Sequence, residues 1–348
     1  MVTLAGEVLR LVPLRALPRL IARDVVGFCY HTVSECRQPA VSHLYSCRTP
    51  AQFERDLEFV CREYEPVPYD DLVAGRVAAA TGRPRAIVTF DDGLKECYSI
   101  IRPLLLKYGV PAVFFVTTGL LDNRRLFYRN KVSLCIDTYL RLSRTEADAA
   151  RSDLEDLMGA PVRGWRDLAV HLHRLTPQAE DLLDAVSARL GVDADAYLRT
   201  NAPYLTTAQV RGLARDGFTI GAPGLAHLRL YSMTPAEAEA DIVSSCETVA
   251  RMVDRPTVPY AFPFDGRGVS REMLRAVRSQ HSHVGLFFDS RGLARDRDFV
   301  INRIVVDSPT RATHQVTNLP AYVRNAYAVE LARAVIAARI LRWRGDGV

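Results

Sequence analysis

Seven short apolar runs constrain this chain more than any other feature: Val25–Tyr30, Ala86–Phe90, Pro111–Val116, Phe218–Gly221, Val258–Phe262, His283–Phe288 and Ile301–Val306. Each reads as a buried strand. Most are separated by helical patterns, at Ala51–Tyr64, Glu96–Tyr108, Thr207–Arg215, Pro235–Val253 and Ser270–Ser279. Thr234, Pro235 and Glu237 supply a cap, a first-turn proline and an early acid at one helix start. Strands alternating with helices imply right-handed crossovers and a parallel sheet. The expected fold class is therefore α/β, and seven such strands can close into a distorted (β/α)7 barrel.

A parallel barrel gathers its chemistry at the carboxyl ends of its strands. His31, Asp91, Asp92, Thr117, Thr118, His227, Pro263, Asp265 and Asp289 all fall just after an expected strand and should share one rim. The sharpest of these segments is Ala86-Ile-Val-Thr-Phe-Asp91-Asp92-Gly93. Adjacent carboxylates repel, so both stay ionised only with a cation beside them. A solvated turn closing a strand is the plainer reading of that segment alone.

Residues 120–204 interrupt the alternation with helical periodicity at Val132–Leu142, Thr145–Met158, Trp165–Leu175 and Pro177–Leu190. They form a helical insertion rising on the active-site face, either a lid or specificity wall or a plain scaffold. His171 and His173 within it point to different faces and read as surface or packing residues. The barrel is then discontinuous, over 25–119 and 205–310. Residues 1–24 and 311–348 are expected as amphipathic helices that pack on the domain, on each other, or at a membrane surface.

Composition excludes several classes. The net charge of +5 comes mostly from dispersed arginine, without the dense basic blocks of a nucleic-acid binder. Seven scattered cysteines contain no C-x-x-C pair, which argues against a disulfide framework and a cysteine zinc site. No apolar run reaches the ~20 residues of a membrane span or forms a secretory core. The expected location is cytoplasmic, with peripheral membrane contact through the terminal helices left open. Oligomeric state is not readable.

Tyr30-His31-Thr-Val33, the Asp91-Asp92-Gly93 segment, Phe218-Thr-Ile-Gly-Ala-Pro223-Gly-Leu-Ala-His227, Tyr260-Ala-Phe-Pro263-Phe264-Asp265 and Ile301-Asn-Arg303-Ile304 occur in order. Together they resemble the polysaccharide deacetylase family (NodB-homology, carbohydrate esterase family 4), over roughly residues 25–119 and 205–307. The resemblance implies a divalent metal, with zinc the expected ion, held by an aspartate and two histidines. It assigns Asp91 as general base, Asp92 and His227 as metal ligands, and Arg303 as the partner that orients Asp91. It places Thr117, Thr118, Pro263, Phe264 and Asp265 around the substrate. The other histidine ligand should stand where this chain has Pro223, which offers no side-chain lone pair. A site with fewer donors binds metal more weakly.

Two positions stay open. His31 is either a catalytic or replacement-ligand histidine, or a satisfied core residue. Asp265 replaces the family's usual glycine, as a replacement ligand, an electrostatic contact to a cationic substrate, or a surface turn residue. The general acid is not identifiable, and neither His281 nor His283 is chosen for it. Three functions follow. The first is a hydrolase removing an N-acetyl group from an amino sugar or a related small or lipid-linked glycoside, with an altered metal site. The second is a metal-free acid–base enzyme in the same pocket. The third is a non-catalytic protein binding a glycan or a partner.

Overall fold

The computed structural model describes residues 12–17, 21, 25–75, 83–307 and 318–345. Its strands are β1 (Val25–Tyr30), β2 (Glu65–Pro66), β3 (Arg85–Phe90), β4 (Ala112–Phe115), β5 (Thr219–Gly221), β6 (Val258–Ala261), β7 (Val284–Asp289) and β8 (Val300–Val305). Seven lie side by side in the order β5-β4-β3-β1-β8-β7-β6, every pair parallel, and the short β2 pairs with β3. The two ends of that order meet where the Ala222 N–H donates to Pro259 O (3.0 Å) and the Ala261 N–H donates to Ala222 O (2.9 Å). The sheet is thus nearly closed into the (β/α)7 barrel expected of the apolar runs.

Side chains alternate across the barrel wall. In β1, Phe28 packs edge-on against Tyr64 and Tyr30 against Phe53, both belonging to or following the helix Pro50–Glu63. Gly27, Cys29 and His31 therefore face inward. Gly27 is glycine for a steric reason. It pairs with Arg303 of β8, and a Cβ at position 27 would lie 2.6 Å from Arg303 Cγ. The missing methyl is the space through which the arginine enters the barrel.

Helix ends follow the sequence signals. The helix Pro235–Val253 opens on a reciprocal capping box between Thr234 and Glu237. The expected helix Glu96–Tyr108 is instead a π turn, Cys97–Ile101, followed by the helix Arg102–Tyr108. Pro103 lacks the N–H that would continue the regular ladder, so the chain widens just before it.

Between β4 and β5 rise the helices Tyr128–Arg141, Arg144–Met158, Trp165–Leu172, Glu180–Arg189 and Ala194–Asn201. The first four enclose a small core of their own, including Ile136, Leu154, Leu168, Leu172 and Val186. Polar contacts tie them to the β1 loop. The Asn130 Nδ2–H donates to Ala40 O (2.9 Å), and buried Asp137 pairs with Arg37 (2.7 Å).

Most of the 1–24 segment lies outside the described residues. Within it, Leu17 and Ile21 are buried in the barrel core. The terminal helix Leu319–Gly345 buries Leu319, Val323 and Tyr327, and its Arg324 donates to Val12 O at 2.8 Å. Residues 308–317 and 346–348 are outside the described residues. Among the described residues no helix is long and apolar enough to cross a membrane.

Candidate functional site

A cavity of about 260 Å³ opens at the carboxyl ends of the strands, lined by Cys29, His31, Leu44, Tyr45, Asp91, Arg129, His227, Phe262, Phe264, Ser290 and Val305. A larger one, about 440 Å³, touches the starts of β5 and β6 at the opposite end, and its lining holds no histidine or cysteine.

One wall of the first cavity is an acid–base pair of pairs. Asp91 follows β3 and is clamped by the fully buried Arg303, with Nη1 to Oδ1 at 2.7 Å and Nη2 to Oδ2 at 2.9 Å. Arg303 also donates to Thr89 Oγ1 at 2.9 Å. The Cys29 thiol donates to Asp91 Oδ2 at 3.4 Å. Burial opposes ionisation of Asp91, but the Arg303 charge and hydrogen bonds outweigh it and hold the carboxyl below its usual range. Burial likewise keeps the Cys29 thiol well above its ordinary value.

His31 follows β1. Its Nδ1 lies 2.8 Å from Asp307 Oδ1, and its backbone N–H donates to Asp307 Oδ2 at 2.6 Å. Its ring stacks on Tyr45, with centroids 3.7 Å apart. Burial lowers the imidazole, yet the buried Asp307 carboxylate, its hydrogen bond, and Asp92 and Asp91 beyond it push His31 up to about 9. At neutral pH it is an imidazolium.

A second wall carries the donors, with His227 on the cavity lining and Asp92 behind it. Asp92 and Gly93 both have positive φ (73° and 74°), a tight turn that aspartate and glycine tolerate. It sends consecutive carboxylates to different partners. Asp92 Oδ2 accepts from the Tyr45 hydroxyl at 2.8 Å, and Oδ1 is 3.4 Å from His227 Nε2. His227 (φ 54°) is wedged between the edges of Phe127 and Phe264. Burial, helped by His31 and Arg129, lowers its imidazole despite Asp92 and Asp91, so it is neutral and ligand-ready. Its Nδ1 is buried without a hydrogen-bond partner.

Do these residues fit the implied metal? Asp92 Oδ1 and His227 Nε2 stand about as far apart as two donors of one tetrahedral zinc. Pro223, buried after β5, adds no third. The described residues offer one cluster of three donor types, Cys29, His31 and Asp91, with their atoms within 4.8 Å of one another. Both Asp91 oxygens there already face the Arg303 cation. The three-donor aspartate–histidine–histidine set of the family is not completed by the residues present.

The structure brings His31, Asp91, Arg303, Asp92 and His227 together, with Phe264 on the cavity wall. Pro263 and Asp265 sit in the adjoining loop but outside the lining, and Asp265 Oδ1 accepts the Arg267 N–H at 2.9 Å within its own turn. Thr117 and Thr118 are buried beyond the lining. Asp289 points away from the cavity as well, accepting from the Gly266 N–H at 3.0 Å and from Arg271. Four contributors were missed: Cys29, Tyr45, Asp307 and Arg129. Asp307 had a signal, since it follows the last strand, and Cys29 shares the inward face with His31. Tyr45 and Arg129 had none.

Residues 78–166 match the family model described as polysaccharide deacetylase. No curated protein matches the sequence. Among solved structures, the Streptococcus pyogenes deacetylase PplD, in complex with acetate, is 14% identical, covering 81% of this chain and 92% of that one with a TM-score of 0.51. IcaB from Ammonifex degensii is 13% identical, covering 87% and 97% with a TM-score of 0.49. By its match over residues 78–166 and by a barrel shared with PplD, the chain is similar to the polysaccharide deacetylases, as its motifs imply.

Proposed function

We propose that this chain is a deacetylase-like hydrolase that cleaves an N-acetyl amide on an amino sugar or a related small or lipid-linked glycoside. One observation carries the reading: an Arg303-clamped carboxylate and an Asp307-backed imidazolium line the same cavity. Asp91, kept ionised, accepts a proton from a water as its oxygen adds to the acyl carbon. Arg303 holds both carboxylate oxygens and fixes the direction of that transfer. His31, already protonated, gives its proton to the departing nitrogen as the C–N bond breaks, so a neutral amine and acetic acid form. The acid's proton passes to His31, acetate leaves, and Asp91 returns its proton to solvent. An ionised carboxylate and a charged acid on one wall are the two proton-transfer groups that amide cleavage needs. Asp92 and His227 are the residues toward which a divalent ion such as zinc would be drawn, and such an ion would polarise the acyl carbonyl. The helices of 120–204 serve as a wall of the cavity through Arg129. The substrate is met in the cytoplasm or at a membrane face.

Acetate release from a panel of N-acetylated sugars, with and without added zinc, tests the reading beside Asp91→Asn. Release that Asp91→Asn abolishes supports it. No release from any sugar in either condition would sink it. Pro223 favours a second reading, a metal-free acid–base enzyme in the same pocket, whose turnover would survive chelation with metal content near zero by plasma mass spectrometry.

A further inference from the structure

The rim of the cavity holds charge that the hydrolytic scheme does not use. Arg129, in the first turn of the helix Tyr128–Arg141, lines the cavity and lies over the Phe264 ring, 5.2 Å from its centroid. Arg229, two residues after His227, lies over the same ring at 4.0 Å. Both are half-buried, and among the described residues neither forms an ion pair. Several arginines elsewhere are paired: Arg48 with Asp56 (3.1 Å), Arg102 with Asp216 (2.5 Å), Arg271 with Asp296 (2.6 Å). Two cations gathered on one ring and partly withdrawn from water repel each other. Stacking occupies their faces and leaves the in-plane N–H groups to bond. Arg129 meets the Tyr128 hydroxyl, and the remaining groups form the fork that grips a carboxylate or phosphate. Phe264 itself is held at φ 64°, an uncommon conformation for an aromatic residue. It presents the ring to both guanidinium groups.

We propose that Arg129 and Arg229 form an anion subsite at the cavity mouth, so that the acylated sugar taken here bears a carboxylate or phosphoryl group near its acylamino carbon. This rests on the hydrolase reading for the acylamino part and deepens it by naming the charge of the substrate. It also gives the insertion a chemical task, since Arg129 comes from the insertion and Arg229 from the barrel.

The test is calorimetric titration of the full chain with N-acetylglucosamine, N-acetylglucosamine 1-phosphate and N-acetylmuramic acid, at low and high ionic strength. At least one anionic sugar should bind about tenfold or more tightly than the neutral one at low ionic strength. The ratio should shrink with salt and fall toward one in Arg129→Gln and Arg229→Gln. Whichever anionic sugar gains more identifies the group as phosphoryl or carboxylate. Equal affinity for all three, or a preference that both variants keep, overturns the proposal. Should Arg129→Gln fail to fold, Arg229→Gln, outside the insertion, decides alone. Binding is read without turnover, so the two readings fail separately. Anionic preference without acetate release defeats the hydrolase and keeps the subsite, and equal turnover of neutral and anionic sugars does the reverse.

Discussion

The two walls of the cavity are built to different standards. On the acid–base wall both Asp91 oxygens are held, by Arg303 and Cys29, and His31 Nδ1 is held by Asp307. On the donor wall a proline stands where a ligand is expected, His227 Nδ1 has no partner, and both donors sit at positive φ. Buried polar groups left unmatched cost about 1–3 kcal/mol each, and left-handed non-glycine residues a similar amount. The strain is concentrated on the side whose ligand set is short, while the Asp91 and His31 side is held by Arg303 and Asp307. The chemistry of this pocket is thus weighted toward its acid–base groups.

The harshest way to break that comparison is Arg303→Met. It leaves Asp91 buried without its cation, which should cost about 3–5 kcal/mol of stability. Acetate release should drop by about 10²–10⁴-fold if Asp91 is the base. Thermal melts and turnover measure both, and an unchanged melt would mean the pair is not the keystone described here. Next is Asp307→Asn. His31 is raised above its ordinary 6.5 to about 9 by Asp307, with Asp92 and Asp91 adding to it. Activity that needs the imidazolium should therefore fall as pH rises through about 9, and in Asp307→Asn that alkaline limb should move to lower pH. The stability from the pair follows the same sign, present in full below 6.5 and lost as pH climbs to about 9. A pH profile that does not move would remove His31 as the acid.

Pro223→His sharpens the comparison from the other side. A third donor beside Asp92 and His227 should raise zinc affinity about 10–100-fold, read by metal content after dialysis. No gain would place the deficit in the geometry of the wall rather than in the missing side chain. Least is expected of Asp265→Asn. Asparagine keeps an oxygen for the Arg267 N–H, so stability should stay within about 0.5 kcal/mol. A large loss of turnover would instead put Asp265 in the substrate's path.

Much of this was legible in the sequence because barrel strands buried on both faces read as continuous apolar runs. Residues just past those runs lie at the carboxyl ends of the strands, and His31, Asp91 and His227 among them line the cavity while Thr117, Thr118 and Asp289 do not. Arg303 came from motif likeness, since nothing in Ile301-Asn-Arg-Ile304 alone says that its side chain crosses the barrel. Tyr45 and Arg129 were invisible because they reach the cavity from a loop and from an inserted helix, and no local period encodes where such segments fold back. The π turn before Pro103 was readable in principle and was passed over for a longer regular helix.

Gly27 carries no chemical group, yet Arg303 reaches Asp91 only because position 27 has no side chain. Among inherited or laboratory variants of this chain, Gly27→Ala would be scored as mild by any measure of residue similarity. It should behave instead as a severe change, since the methyl lands on the shaft of the arginine that keeps the Asp91 carboxylate charged.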